Sequence, residues 1–292
     1  MLSAQMTAAI ERYKQLNAAR ASRPPRDLAT MRAHFEPAGM PTAPPRDVTI
    51  TAVDAGGVPA FWVAPPDVAT DRAIMYLHGG GFTIGSIQSH GELVARLGRL
   101  AHQRVLFVDY RLTPEHPFPA ALDDSLTAWR WLRNHVLSTA LAGDSAGGNL
   151  VISLMLALRE AGEPMPRAAA VMSPVMDLTG SGASFDSRAS DDPVLAPGFV
   201  RKTFADYAGT NDPKNPLISP AFASLEGLPR LLVQVGTAEI LYSDSETLAS
   251  NARRDDVHVT YDVGIGLTHV YQTIDDAPEA IAAVERIAAF IA

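Results

Sequence analysis

Short apolar runs alternate along the chain with longer stretches of helical period. The runs at residues 48–53, 59–63, 73–77, 105–109, 138–142, 168–172, 231–235 and 257–262 are bounded by Gly, Pro or Asp and have the length of strands rather than helices. Between the later runs lie stretches of helical period at 90–102, 120–134, 150–160 and 244–253. A final stretch, 278–291, carries Ile281, Val284, Ile287 and Ile291 on one stripe behind Pro278 and Glu279, a helix-start signal. Strands alternating with helices in this way predict a mostly parallel sheet covered on both faces, an α/β fold.

Two stretches break the alternation. The first, residues 1–45, opens with an apolar helical stripe (Leu2, Met6, Ile10, Tyr13, Leu16) and continues as a proline-rich passage from Pro24 to Pro45. An amphipathic face needs something to cover, which disfavours a loose tail. It lacks the dense Lys and Arg face of helices that lie on a membrane surface. The second, residues 181–215, separates the sixth and seventh strands and is rich in Ser, Asp, Gly and Pro around a short helix-like piece at 198–207. Connections of this length inside a compact domain are usually functional.

Candidate chemistry sits where strands end. After the run at 138–142 the chain reads Gly143-Asp144-Ser145-Ala146-Gly147 and then enters a helical stretch. This is G-x-S-x-G in a strand–turn–helix setting, in which a sharp turn lifts a serine hydroxyl above the sheet and the helix aims its free N–H groups at the reacting centre. Alone, the pattern is equally a glycine-rich turn that contains a serine. Its company changes that reading. The run 73–77 leads into His78-Gly79-Gly80-Gly81-Phe82. Three successive glycines make an entropically poor structural loop, but they suit one whose bare N–H groups must meet a developing negative charge. Downstream, Gly264-Ile265-Gly266-Leu267-Thr268-His269 places a histidine on a loop after the last strand. Serine, then acid, then histidine is the chain order of the α/β-hydrolase triad.

With these motifs, and with the block Tyr110-Arg111-Leu112-Thr113-Pro114-Glu115-His116-Pro117-Phe118-Pro119-Ala120 continuing to Asp124, the chain resembles the bacterial hormone-sensitive-lipase-like carboxylesterases of the α/β-hydrolase superfamily from about residue 73 to its end. The resemblance implies an eight-stranded α/β-hydrolase domain over 46–292, with 1–45 and the insertion 181–215 joined as a helical cap. It implies Ser145 as nucleophile, His269 as general base, and the N–H groups of Gly80, Gly81 and Ala146 as oxyanion hole. His78 would orient the glycine loop, and the block from Tyr110 to Asp124 would be architectural. The substrates implied are short- to medium-chain carboxylic esters, with no cofactor, and homodimers along the edge strand at 257–262.

At the acid the chain departs from the family. The expected G-x-x-D-x-L reads Gly236-Thr237-Ala238-Glu239-Ile240-Leu241, so the matching residue is Glu239, one methylene longer than Asp. Asp244 competes and reads better as a charge at a helix start. Asp262 lies within the eighth strand with its direction open. Asp144 cannot orient a histidine from beside the nucleophile and is expected to brace the turn. His116 reads as a surface or packing residue, and Phe82, Phe199 and Phe204 receive no role.

Composition narrows the rest. The 292 residues suit one α/β domain with additions, and there is no cysteine for disulfides, thiolate metal sites or a thiol nucleophile. The net charge of −8 argues against nucleic acid. The eight histidines show no metal-ligand spacing. No window spans a membrane and residues 1–20 lack a signal peptide's apolar core, so a cytoplasmic protein is the default expectation. Lactone, carbamate or amide hydrolysis by the same residues is not separable from ester hydrolysis by sequence. A non-catalytic binding protein of the same fold is disfavoured by the presence of Ser145, His269 and all three loop glycines.

Overall fold

The computed structural model describes residues 1–21, 27–33, 35 and 47–292. Eight strands form one sheet: β1 (Thr49–Asp54), β2 (Pro59–Ala64), β3 (Ala69–Leu77), β4 (Gln103–Val108), β5 (Ser138–Asp144), β6 (Ala169–Met172), β7 (Leu231–Gly236) and β8 (Val259–Gly264). Their spatial order is β1-β2-β4-β3-β5-β6-β7-β8. Only β2 runs against both neighbours, and every pair from β4 to β8 is parallel. The mostly parallel α/β sheet read from the alternation is therefore present.

Strand residues divide by the pleat, successive side chains going to opposite faces. On one face Met75, Leu77, Leu106, Leu141, Val171 and Val233 share a core with helices α4 (Ala120–Arg133), α5 (Ser145–Glu160) and α8 (Tyr242–Arg254). On the other, Ile74, Tyr76, Val105, Phe107 and Met172 meet α3 (Ile87–Ala101) and α9 (Pro278–Ile291). In α9 three residues of the expected stripe, Val284, Ile287 and Ile291, are fully buried, and the fourth, Ile281, is half-buried. At about 1.5–3 kcal/mol for each such side chain, packing stabilises a helix that would be marginal alone.

Several boundaries differ from the sequence reading. Helix α5 starts at Ser145 rather than near 150, because the glycines and Asn149 lie inside its first turns. Helix α3 starts at Ile87, where Ser86 and Ser89 form a reciprocal capping box. Strand β3 reaches back to Ala69 through exposed polar residues with no strand signal. Two short helices lacked enough residues to show a period: α2 (Leu28–Ala33) and α6 (Ala183–Ser187). Helix α7 (Pro197–Ala208) matches the helix-like piece read at 198–207.

The N-terminal stripe forms α1 (Ala4–Ala21), whose Met6 and Tyr13 are buried against Leu267, Tyr271, Ile274 and Ala280. Ser3 ties its start to α9, donating from N and Oγ to Glu279 at 2.6 and 2.7 Å. Much of the proline-rich passage from Pro24 to Pro45 lies outside the described residues. Among the described residues no helix is long and apolar enough to cross a membrane.

Candidate active site

Strands β3, β5, β7 and β8 end side by side, with Leu77 paired to Gly143 and Gly236 to Gly264. The loops after them therefore converge at the carboxyl edge of the sheet, where α/β folds present functional groups.

Ser145 follows β5 directly, at a φ of +52°, and opens α5. A non-glycine residue holds that left-handed conformation only when its surroundings impose it. Here the turn is so tight that a Cβ on Gly147 would run into the carbonyl of Leu77. The strain directs the hydroxyl at the loop after β8, where His269 Nε2 lies 3.0 Å from Ser145 Oγ. His269 Nδ1 lies 2.7 Å from Glu239 Oε2. A carboxylate only accepts, so Nδ1 carries the proton and Nε2 faces the serine with its lone pair. Burial opposes a charged His269, but the charge and hydrogen bond of Glu239, aided by Asp192 and Asp144, outweigh it and raise the pKa above 6.5.

The structure also places the competing acids. Asp244 turns away from His269, and its Oδ2 accepts N–H from Met176 and Asp177 at 2.6 and 3.0 Å. Burial drives its pKa up to about 7 against those two bonds. Asp262 accepts from Gln234 and Arg286 at 2.9 and 2.7 Å. Of the three carboxylates Glu239 alone contacts the imidazole.

The glycine loop lies beside the serine. Gly80, at φ +112°, has no room for a side chain because a Cβ would strike the Ile84 carbonyl. Within the described residues the N–H groups of Gly80, Gly81 and Ala146 make no hydrogen bond. The loop is braced from below. Asp144 Oδ1 accepts the Gly79 N–H at 3.0 Å and the Tyr76 hydroxyl at 2.7 Å, and its other oxygen faces His90 Nε2 at 3.5 Å. His78 meets the Gly79 carbonyl through Nδ1 at 2.7 Å and stacks between Tyr110 and Phe107. Burial depresses its pKa to about 3 and so favours the neutral ring.

The block from Tyr110 to Asp124 fixes the exit from β4. The Tyr110 hydroxyl donates to the His78 carbonyl at 2.6 Å, and Arg111 is forked onto Asp124. His116 is exposed. Phe82 is buried and stacks on Tyr207 at 3.7 Å, while Phe204 is buried near Phe185 and Phe199 is partly exposed. A cleft of about 290 Å³ between α1 and the loops carrying Ala238, Gly266 and Thr268 has neither Ser145 nor the glycine loop in its lining.

Three contributors escaped the sequence reading. Ser173 donates to Glu239 Oε1 at 2.8 Å, alongside the Gly236 N–H at 2.8 Å. Asp192, within 181–215, accepts the Ile240 N–H next to the acid at 2.9 Å, together with Val194 and Leu195. His90 stands behind Asp144. None lies in a motif, and of the three only His90 falls in a stretch of helical period. A hydrophobic strand end followed by Ser173-Pro174 was the one local cue.

Residues 74–273 match the alpha/beta hydrolase fold family. An acetyl-hydrolase of Streptomyces hygroscopicus is 39% identical over 271 residues, 91% of this chain and 89% of that one. An esterase of Acinetobacter venetianus is 35% identical over 225 residues, 75% and 74% of the two chains. Among solved structures, an esterase from the bacterial hormone-sensitive lipase family superposes with a TM-score of 0.94 at 37% identity, covering 100% of this chain and 98% of that one. EstE5, from a crystal soaked with p-nitrophenyl butyrate, gives 0.89 at 37% identity, covering 97% of each. The chain belongs to the α/β-hydrolase fold family, among the bacterial hormone-sensitive-lipase esterases.

Proposed function

We propose that this esterase hydrolyses short- to medium-chain carboxylic esters through an acyl-enzyme on Ser145. As Oγ attacks the ester carbonyl, its proton passes to His269 Nε2 and the new oxyanion takes N–H bonds from Gly80, Gly81 and Ala146. Collapse of the tetrahedral species breaks the bond to the leaving alkoxide, which leaves as alcohol with the proton from His269. A water molecule, deprotonated by the same nitrogen, then attacks the acyl-enzyme and releases the acid. Glu239 holds the ring in the required tautomer and stabilises the imidazolium formed in each step.

The observation that carries this reading is the unbroken line Glu239–His269–Ser145, at 2.7 and 3.0 Å. On the same reading residues 1–45 and 181–215 form a cap. Its support is the packing of α7 onto the glycine loop, where Thr203 fills the space beside Gly81, and of α1 onto the loop of His269. Arg32 reaches from α2 to Glu115 and to the carbonyls of Thr83 and Thr113. The free edge of β8 and exposed Ile265 beside it form the contact of a homodimer, which light scattering checks directly.

The test is a panel of p-nitrophenyl esters of graded acyl length beside lactone, carbamate and anilide substrates. Highest kcat/KM on the shorter esters is expected. A preference for any other bond type moves the assignment to that bond, and a preference for long acyl chains contradicts the chain-length proposal.

A further inference from the structure

The segment that leaves β6 reaches Ser145, Glu239 and the backbone that follows His269. Val175 N–H donates to the Ser145 carbonyl at 3.1 Å, and Asn149 Nδ2 donates to the Val175 carbonyl at 3.0 Å. Met176 and Asp177 N–H are held by Asp244. At the head of this segment stands Ser173, fully buried and at a φ of +47°. Its N–H extends the sheet by donating to the Gln234 carbonyl at 2.7 Å.

The Ser173 hydroxyl has two partners on different loops. It lies 2.8 Å from Glu239 Oε1 and 3.1 Å from the Val270 N–H. A carboxylate only accepts and an N–H only donates, so the hydroxyl proton points at Glu239 and its lone pair at Val270. Val270 follows His269 and has a φ of +46°, a conformation costly for a β-branched residue unless its neighbours impose it. One hydroxyl therefore grips the acid and the backbone next to the base.

We propose that Ser173 is a positioning residue that locks Glu239 and the His269 loop in register, acting through both and touching neither substrate nor reacting atoms. This rests on the reading of Glu239 and His269 as partners of Ser145. Glutamate has one more rotatable bond than aspartate, and a buried acid with that freedom needs its second oxygen fixed. Ser173 and the Gly236 N–H hold Oε1, which leaves Oε2 for the imidazole alone.

The experiment compares Ser173→Ala, Ser173→Gly and Glu239→Gln, and places Ser173→Ala in wild-type and Glu239→Asp backgrounds, with thermal unfolding of each variant. Glycine accepts the positive φ without strain, so it separates the turn from the hydroxyl. Ala and Gly are each expected to lower kcat about tenfold to a hundredfold, because misplacement of a catalytic pair is costly. KM should stay within about threefold, since ground-state binding is untouched. In the Glu239→Asp background the shorter acid no longer reaches Ser173, and Ser173→Ala should cost less than about threefold, the non-additivity of coupled residues. Wild-type kcat in Ser173→Gly, or equal losses in both backgrounds, would overturn the proposal while a crippled Glu239→Gln leaves the triad reading intact. A Glu239→Gln variant of normal activity would overturn both.

Discussion

Glu239 Oε2 lies 2.7 Å from His269 Nδ1, with both side chains buried, whereas the carboxylate of Asp244 is spent on two backbone N–H groups of the β6 exit segment. Glu239→Gln should lower kcat by about a thousandfold or more, because the amide neither stabilises imidazolium nor selects the correct tautomer. Asp244→Asn, which keeps an acceptor for Met176 and Asp177, should cost less than about tenfold by the same measure. Steady-state kinetics of the two variants check this, and a reversed order would move the acid to Asp244.

The pH dependence follows from His269. Burial favours its neutral form, but the Glu239 carboxylate with Asp192 and Asp144 prevails and lifts the pKa above 6.5. A histidine base works when neutral, so on the proposed mechanism kcat/KM should rise with pH along one limb whose midpoint lies above 6.5. Removing the charge in Glu239→Gln should move the midpoint of the residual activity down. A profile flat from weakly acid to neutral pH, with folded protein throughout, contradicts a histidine base.

Gly80 offers a steric test of the oxyanion loop. Its φ of +112° and the Ile84 carbonyl at the Cβ position mean that Gly80→Ala must displace the loop. Loss of a preorganised N–H donor should lower kcat about a hundredfold or more. Gly162→Ala is the control: φ is also positive there, at +64°, but the Cβ would stand in open space. It should affect stability and leave kcat alone.

Much of this architecture was legible in the chain. Eight strands and the longer helices announced themselves because apolar runs and 3.6-residue periods record burial directly. Ser145 and the glycine loop were legible because each needs a backbone that particular residues supply, and His269 because it follows the last strand in the chain order serine, acid, histidine. The start of α5 at Ser145 was hidden, since two glycines and Asn149 weaken the helical signal there. Ser173 and Asp192 were hidden for a different reason. Each works through contacts with residues far away in sequence, Ser173 with Glu239 and Val270, Asp192 with Ile240, and such contacts leave no local pattern. The direction of Asp262, toward Arg286 on α9, likewise follows only from the folded sheet.

Asp244 also predicts a stability signature. Its folded pKa, raised by burial to about 7, exceeds the ordinary 3.8, so the folded state binds the proton more tightly than the unfolded chain. The cost of ionising it is absent below pH 3.8, grows as pH rises toward 7 and is complete above that. Asp244→Asn carries no such cost, so its stability relative to wild type should improve across that interval by at most about 4 kcal/mol. Urea unfolding of both proteins at acid and at slightly alkaline pH measures the change, and a constant difference would refute it.

The covalent step on Ser145 is tested most directly by an organophosphate, which is attacked by the activated serine and remains attached. Intact-protein and peptide mass spectrometry should find a single adduct, on the peptide carrying Ser145, appearing in step with loss of esterase activity. Ser145→Ala should take no label, and His269→Ala should label far more slowly while still folded. An adduct on any other residue of the inactivated enzyme, or full activity in protein exposed to excess reagent, would contradict an acyl-enzyme on Ser145.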